Sequence, residues 1–232
     1  MKNTYQFQDF SRRKLLKFGA VALGTATLIA GVGCDSEQPK SAVENQNMTP
    51  DEALQNLMEG NQRFVTNKRQ NPNQSTVRLT EVAQGQNPFA AVLSCADSRV
   101  PVEIIFDQGF GDIFVVRDAG NIATPEEIGS LEFGTLVLGA KVLMVIGHQN
   151  CGAVKATIDG NAVPGKIGSI IDAIKPAIQA NQTLETAVKA NVKLQIEKLK
   201  TSPVLTKLVQ EGNLKIVGGY YNLETGQIEL VA

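Results

Sequence analysis

Apolar and polar positions follow two different rhythms along this chain. Three short runs are almost wholly apolar: FAAVL (residues 89–93), IFVVR (113–117) and VLMVIGH (142–148). Runs of that length, bounded by polar residues, suit strands covered on both faces, as in a parallel sheet. Around them apolar residues recur at helical spacing. Leu54, Leu57, Met58, Phe64 and Val65 do so after TPDE, residues 49–52. There a hydroxyl cap, a first-turn proline and two carboxylates near the positive end of the macrodipole mark a helix start. Thr124, Pro125, Glu126 and Glu127 open another helix, apolar at Leu131, Phe133, Leu136 and Leu138. A third leaves the last apolar strand from Gly152 onward. A longer one is predicted over 183–200, with Leu184, Val188, Val192, Ile196 and Leu199 as its apolar stripe and a Lys-rich face in solvent. NKRQNPNQST reads as loop, and LKIVGGYYNLETGQIELV as two strands about a turn at 224–226. Strands alternating with helices predict an α/β fold, an open sheet with parallel central strands flanked by helices and a C-terminal antiparallel strand.

At 232 residues and 43% hydrophobic, the chain is long enough for one domain with a sizeable core. The net charge of -1 conceals an asymmetry. Residues 1–18 carry five basic residues against Asp9, which leaves a mildly acidic remainder and no electrostatic reason to expect nucleic acid. The basic start, SRRKLLK, precedes the apolar, small-residue run FGAVALGTATLIAGVG and then Cys34, which is the order of an export signal. Arg12 and Arg13 with Leu15, Leu16 and Lys17 resemble the twin-arginine signal of bacteria, although Leu15 stands where phenylalanine is usual. Gly31, Val32 and Gly33 resemble a degenerate lipoprotein cleavage box, with Gly31 where leucine is usual. The organisation expected is an export signal over 1–34, a polar linker over 35–48 and a folded domain over 49–232. The expected location is the periplasm or the outer face of the cytoplasmic membrane, with lipidated Cys34 as a possible tether.

Two sequence segments carry chemistry, and both sit where predicted strands end. CADSR follows the first apolar run, and GHQNCG, with the chain's only histidine, ends the third. Sites on open α/β sheets gather at the carboxyl ends of strands, so the fold can bring the two together across about fifty residues of chain. Cys95, His148 and Cys151 offer two thiolates and an imidazole, a donor set that favours zinc. The competing reading is a Cys95–Cys151 disulfide in an exported protein. Asp97 has two candidate partners. On zinc it would close the site; paired with Arg99 two residues on, it would leave a position open for water, whose pKa an open zinc brings from about 16 toward 7. Two thiolates make that lowering less complete than three imidazoles would, so activity is expected to improve on the alkaline side.

CADSRV at 95–100 and GHQNCG at 147–152, with IFVVRDAGN between them, resemble the two zinc motifs of the β-class carbonic anhydrases. The resemblance covers roughly residues 50–232 and favours the plant-like branch. It implies one Zn2+ per chain held by Cys95, His148 and Cys151, and an Asp97–Arg99 dyad in which Asp97 binds the metal only in a closed form. It implies that Gln86 donates a hydrogen bond to substrate, that Gly152 presents its amide near the zinc, and that Phe114 and Ala119 line the substrate pocket. Ala119 stands where that branch has valine. Val92 stands where the bicarbonate-regulated branch has tryptophan, against an allosteric bicarbonate site. The implied reaction is reversible hydration of CO2 to bicarbonate and a proton by zinc-bound hydroxide. No second histidine is present to shuttle the proton, so buffer or a water chain must carry it. The implied assembly is a homodimer or larger, with extended N-terminal helices wrapped on the partner and the cleft at the interface. Two other readings stay open: a carbonyl sulfide or carbon disulfide hydrolase on the same scaffold, and a non-catalytic zinc or bicarbonate-binding protein.

Overall fold

The structure is a computed structural model that describes residues 47–232. The predicted export signal, Cys34 and most of the linker lie outside the described residues. Helix α1 (Pro50–Val65) starts as its sequence dictates: Thr49 and Glu52 form a reciprocal capping box, and Pro50 occupies the first turn. Met48 already packs against the core.

Helix α2 (Thr76–Val82) follows, capped by Ser75, and leads to β1 (Ala90–Cys95). A one-turn helix α3 (Val102–Ile105) and β2 (Ile113–Asp118) come next. Helix α4 (Pro125–Glu132) runs into a π-helical turn, Phe133–Val137, before β3 (Val142–His148). Then come α5 (Gly152–Asp159), α6 (Ile167–Ile174), α7 (Leu184–Leu199) and α8 (Pro203–Gln210). The chain closes with β4 (Lys215–Tyr221) and β5 (Ile228–Leu230). Among these helices none is long and apolar enough to cross a membrane.

The five strands form one sheet in the order β2-β1-β3-β4-β5, parallel except for the antiparallel β4–β5 pair. This is the mixed sheet the apolar runs predict, with one addition: β2 lies at an edge. Alternation along the strands divides the core. Ala90, Val92, Val142, Met144 and Ile146 face α1 and α3, while Ala91, Leu93, Leu143 and Val145 face α7 and α8. Helix α7 lies very close to the sheet. A Cβ at Gly147 would come within 2.7 Å of Val188 Cγ1, so the first residue of GHQNCG is the glycine that lets helix and strand approach.

The Lys-rich face of α7 is less free than the charge pattern predicts. Lys198 Nζ donates to the Ala173 carbonyl at 2.9 Å, and desolvation lowers its pKa. Lys189 lies between Glu185 and Glu229 with its ammonium over the Tyr220 ring. Both lysines tie α7 to its neighbours.

Candidate metal centre

Cys95 ends β1, His148 ends β3, and Cys151 sits at the N-cap of α5. Because β1 and β3 are parallel neighbours, with Ser94 level with Ile146, their carboxyl ends emerge along one edge of the sheet. The turn through Asn150, at φ +55°, reverses the chain and returns Cys151 to His148. One ligand atom from each of the three residues lies within 4.8 Å of the others, and all three side chains are buried. Both cysteines are free thiols, so the disulfide reading is not what the structure shows.

The imidazole is oriented for ligation. His148 Nδ1 lies 2.9 Å from the Gln149 carbonyl, which places the ring proton there and leaves Nε2 as the lone pair. Nε2 is buried without a hydrogen-bond partner, a situation that costs about 1–3 kcal/mol unless something else satisfies it. Two sulfurs and an orphaned imidazole nitrogen are the donor set of a structural or catalytic zinc, so these residues fit that ion. The thiols titrate unequally. The facing Cys151 sulfur lowers the pKa of the Cys95 thiol, with burial opposing and the Gly120 amide assisting, while the contact with Cys95 and burial push Cys151 up.

Asp97 points at Arg99. Arg99 Nε donates to Oδ1 at 2.9 Å and Nη2 to Oδ2 at 2.8 Å, a bidentate pair, and the Arg99 amide adds a third bond to Oδ1 at 2.9 Å. The guanidinium therefore holds the carboxyl well below the usual carboxylate range, with burial opposing it. Asp97 Oδ2 stays 3.8 Å from His148 Nε2, beside the ligand set and outside it. This is the open arrangement of the two the sequence allows.

The loop that carries the dyad is fixed from β2. Arg117 Nε donates to the Cys95 carbonyl at 3.0 Å and Nη2 to the Asp97 carbonyl at 2.7 Å, so Arg117 braces the CADSR backbone. Asp118 accepts from the Ile122 amide at 2.8 Å, leaves Oδ2 unsatisfied, and is pushed up to about 7 chiefly by burial. Gly120, at φ +85°, donates its N–H to Cys95 Sγ at 3.3 Å. A Cβ there would meet Ile174 Cδ1 at 2.7 Å, so conformation and space both call for glycine. On the second segment, Gln149 Oε1 accepts from the Leu223 amide at 3.0 Å and ties the histidine turn to the β4–β5 turn.

The remaining expected positions divide. Gly152 opens α5 beside Cys151 with open space where a Cβ would stand, and exposed Ala119 adjoins Gly120. Phe114 is level with Ala91, four residues back along β2 from the Cys95–Asp118 pair, or about 13 Å. It packs against Phe133 with ring centroids 6.4 Å apart. Gln86 precedes the amino end of β1 and lines a groove with Val82, Phe110 and Gly111, so the length of β1, about 17 Å, separates it from Cys95. Within one chain, Gln86 and Phe114 do not reach the thiol–imidazole cluster.

A family model described as "Carbonic anhydrase" matches residues 90–228. Carbonic anhydrase 2 of Mycobacterium tuberculosis is 35% identical over 197 residues, covering 79% of this chain and 94% of that one. The carbonic anhydrase of Mycolicibacterium smegmatis is 35% identical over 202 residues, with the same coverage. Among solved structures, the Coccomyxa β-carbonic anhydrase in complex with acetazolamide superposes with a TM-score of 0.60 at 26% identity, covering 76% of this chain and 85% of that one. The β-carbonic anhydrase CafA of Aspergillus fumigatus gives 0.62 at 25% identity, covering 66% and 81%.

The chain belongs to the β-class carbonic anhydrases.

Membership in this enzyme family gives the two sequence segments a common frame, and it also shows what sequence reasoning passes over. Arg117 and Gly120 bond Cys95 directly, Asn191 Nδ2 donates to the Gly120 carbonyl and Gln195 Oε1 accepts from the Ala123 amide, and none of the four stands out by residue type. The available signal for the last two was a pair of amides four residues apart beside the apolar stripe of α7.

Proposed function

We propose that this chain hydrates CO2 reversibly to bicarbonate and a proton. The observation that carries the reading is the Asp97–Arg99 pair: a carboxylate held off the ligand set by a bidentate guanidinium, directly beside a buried Cys/His/Cys cluster. A purely structural metal site has no use for that pair. Cys95 Sγ, His148 Nε2 and Cys151 Sγ would hold Zn2+, which when bound supplies the Lewis acidity that makes water nucleophilic at ordinary pH. The chain's own residues do the rest. Asp97, kept ionised by Arg99, offers a fixed acceptor that orients the attacking water. The Gly120 amide and the buried setting moderate the charge on Cys95. The released proton passes to solvent or buffer by way of the partly exposed Asp97 edge, because the one histidine is occupied.

The substrate half of the site comes from a second copy in this reading. Gln86 and Phe114 lie away from the cluster in their own chain, Phe110 in the Gln86 groove is an exposed large apolar residue, and Val77 and Leu79 on the preceding helix α2 are exposed as well. An apolar surface around the substrate-binding glutamine, next to an unpaired edge strand, is the surface a two-fold partner would cover. The export reading completes the proposal: SRRKLLK and the run to Cys34 take the folded chain to the periplasm or, with Cys34 as lipid attachment, to the outer face of the cytoplasmic membrane. Fractionation of cells producing the Arg12→Lys/Arg13→Lys and Cys34→Ala variants checks it, with retention in the cytoplasm expected of the first and release into the soluble periplasm of the second.

Stopped-flow CO2 hydration by the zinc-loaded protein tests the activity, with carbonyl sulfide turnover measured in parallel. CO2 hydration well above buffer background, lost in Asp97→Ala, is the expected result. Faster turnover of carbonyl sulfide would move the assignment to a hydrolase, and background rates with both substrates would leave only a binding protein.

A further inference from the structure

Helix α7 buries two carboxamides in its core-facing surface, Asn191 and Gln195, each fully excluded from solvent. They sit one helical turn apart, on a face whose other buried members are Ala187, Val188, Val192, Ile196 and Leu199. Burying a carboxamide is unfavourable unless its donors and acceptor are used, and here, apart from a longer bond of 3.4 Å from Gln195 Nε2 to the Ala173 carbonyl, they are used on one segment. Gln195 Oε1 accepts from the Ala123 amide at 2.9 Å, and its Nε2 donates to Asn191 Oδ1 at 2.8 Å. Asn191 Nδ2 then donates to the Gly120 carbonyl at 2.9 Å. The two side chains form a ladder whose ends grip both ends of the segment 120–123.

That segment is costly to hold. Gly120 and Asn121 are consecutive left-handed residues, at φ +85° and +45°, and the Asn121 side chain is buried with no partner of its own. Its one bond toward the thiol–imidazole cluster is the Gly120 N–H to Cys95 Sγ. The same peptide-bonded residue thus offers its carbonyl to the α7 ladder and its amide to the sulfur. Fixing the first fixes the aim of the second.

We infer that Asn191 and Gln195 are positioning residues that set the Gly120 N–H···S bond and through it the electron donation of the Cys95 thiolate to its metal. The inference rests on the zinc-site reading. A donor on a thiolate withdraws charge from the metal, so weakening it makes the sulfur a stronger donor, which shifts the charge-transfer energy, and also frees the ligand from its preset geometry; loss of such orienting partners costs about 10–100-fold in metal affinity, so the lost positioning outweighs the gained donation.

Cobalt(II) in place of zinc gives the readout. Cobalt loading of the unaltered protein is expected to show sulfur-to-cobalt charge-transfer bands; their absence would refute the zinc-site reading itself. With those bands present, Asn191→Leu is expected to move them to longer wavelength and to weaken zinc binding about tenfold in chelator competition. Leu205→Ala, a fully buried core residue on α8 rather than on the helix that carries the ladder, is expected to lower thermal stability and leave the bands in place. Asn191→Leu with unchanged bands and zinc affinity would overturn the inference. Should Asn191→Leu not fold, amide exchange in the unaltered chain decides: chelation of zinc is expected to speed exchange at Gly120 and Ala123 together. An increase at Gly120 alone would overturn the ladder.

Discussion

The two ends of strand β1 are built for different partners. At the carboxyl end, Cys95 is enclosed within its own chain: His148 and Cys151 face it, Gly120 bonds its sulfur, and Arg117 bonds its carbonyl. At the amino end, Gln86 is exposed in a groove with Val82, Phe110 and Gly111, and the Phe110 side chain stays exposed among the described residues. The difference follows from the requirements of each half. Metal ligands must be placed to within tenths of an ångström, which short covalent connections and a rigid sheet provide. A substrate pocket needs enclosure, and in the proposed assembly a second copy supplies it by bringing its own surface over the cluster. In the proposed reading one chain carries its own metal half and, at the far end of the same strand, a substrate half for a second copy.

The sharpest break in this comparison is at the carboxyl end. Cys151→Ser or His148→Ala is expected to cut zinc affinity by more than about 100-fold, beyond the ceiling for outer-shell changes, and to abolish hydration. Zinc content after dialysis and stopped-flow rates measure both. Gln86→Ala is expected to lower turnover by about 100–1,000-fold, the scale of one lost donor to the reacting group, with zinc content unchanged. Equal loss of zinc in that variant would place Gln86 in the metal half and end the division.

Smaller effects sharpen it. Asp118 faces the metal half with its pKa raised, so the folded state holds a proton the unfolded state has lost, and stability falls as pH rises from the ordinary carboxylate range, about 4, through about 7. Asp118→Asn is expected to flatten that slope and add about 1 kcal/mol above pH 7 after allowance for partial solvent access, read from urea midpoints across pH. Asp97 has the opposite sign. Its lowered pKa contributes stability that is present above the ordinary carboxylate range and lost as pH falls below it, so Asp97→Asn is expected to soften acid unfolding. Thr49→Ala, which removes the capping box of α1 far from either half, is expected to cost about 1 kcal/mol and leave zinc affinity untouched.

Legibility in the sequence follows the same division. The strands β1, β2 and β3 read directly because strands covered on both faces appear as unbroken apolar runs. Helices with strong starts also read well: Thr49 and Thr183 cap as their sequence suggests, and the box at Thr124 and Glu127 forms. Helices α2, α6 and α8 were passed over, being seven or eight residues each, too short for two full periods to stand out. The cap signals Ser75 and Ser202–Pro203 marked two of them. In the site, Cys95, His148 and Cys151 were legible because they are rare ligand types placed where strands end. The direction of Asp97 was not, since its two partners were equally near in sequence and only the turn at Ser98 selects Arg99. Arg117 and the α7 amides act by gripping backbone carbonyls and amides, and sequence does not record which backbone a side chain will meet.

The most direct test of the divided site is subunit mixing. Gln86→Ala and Cys151→Ser proteins, each deficient alone, are dissociated together, reassociated with zinc and assayed for CO2 hydration. A two-fold assembly in which Gln86 serves the partner's metal centre gives each mixed pair one intact site, so activity is expected to rise to roughly a quarter of the unaltered protein's. A mixture no more active than the average of its two parents would contradict the account.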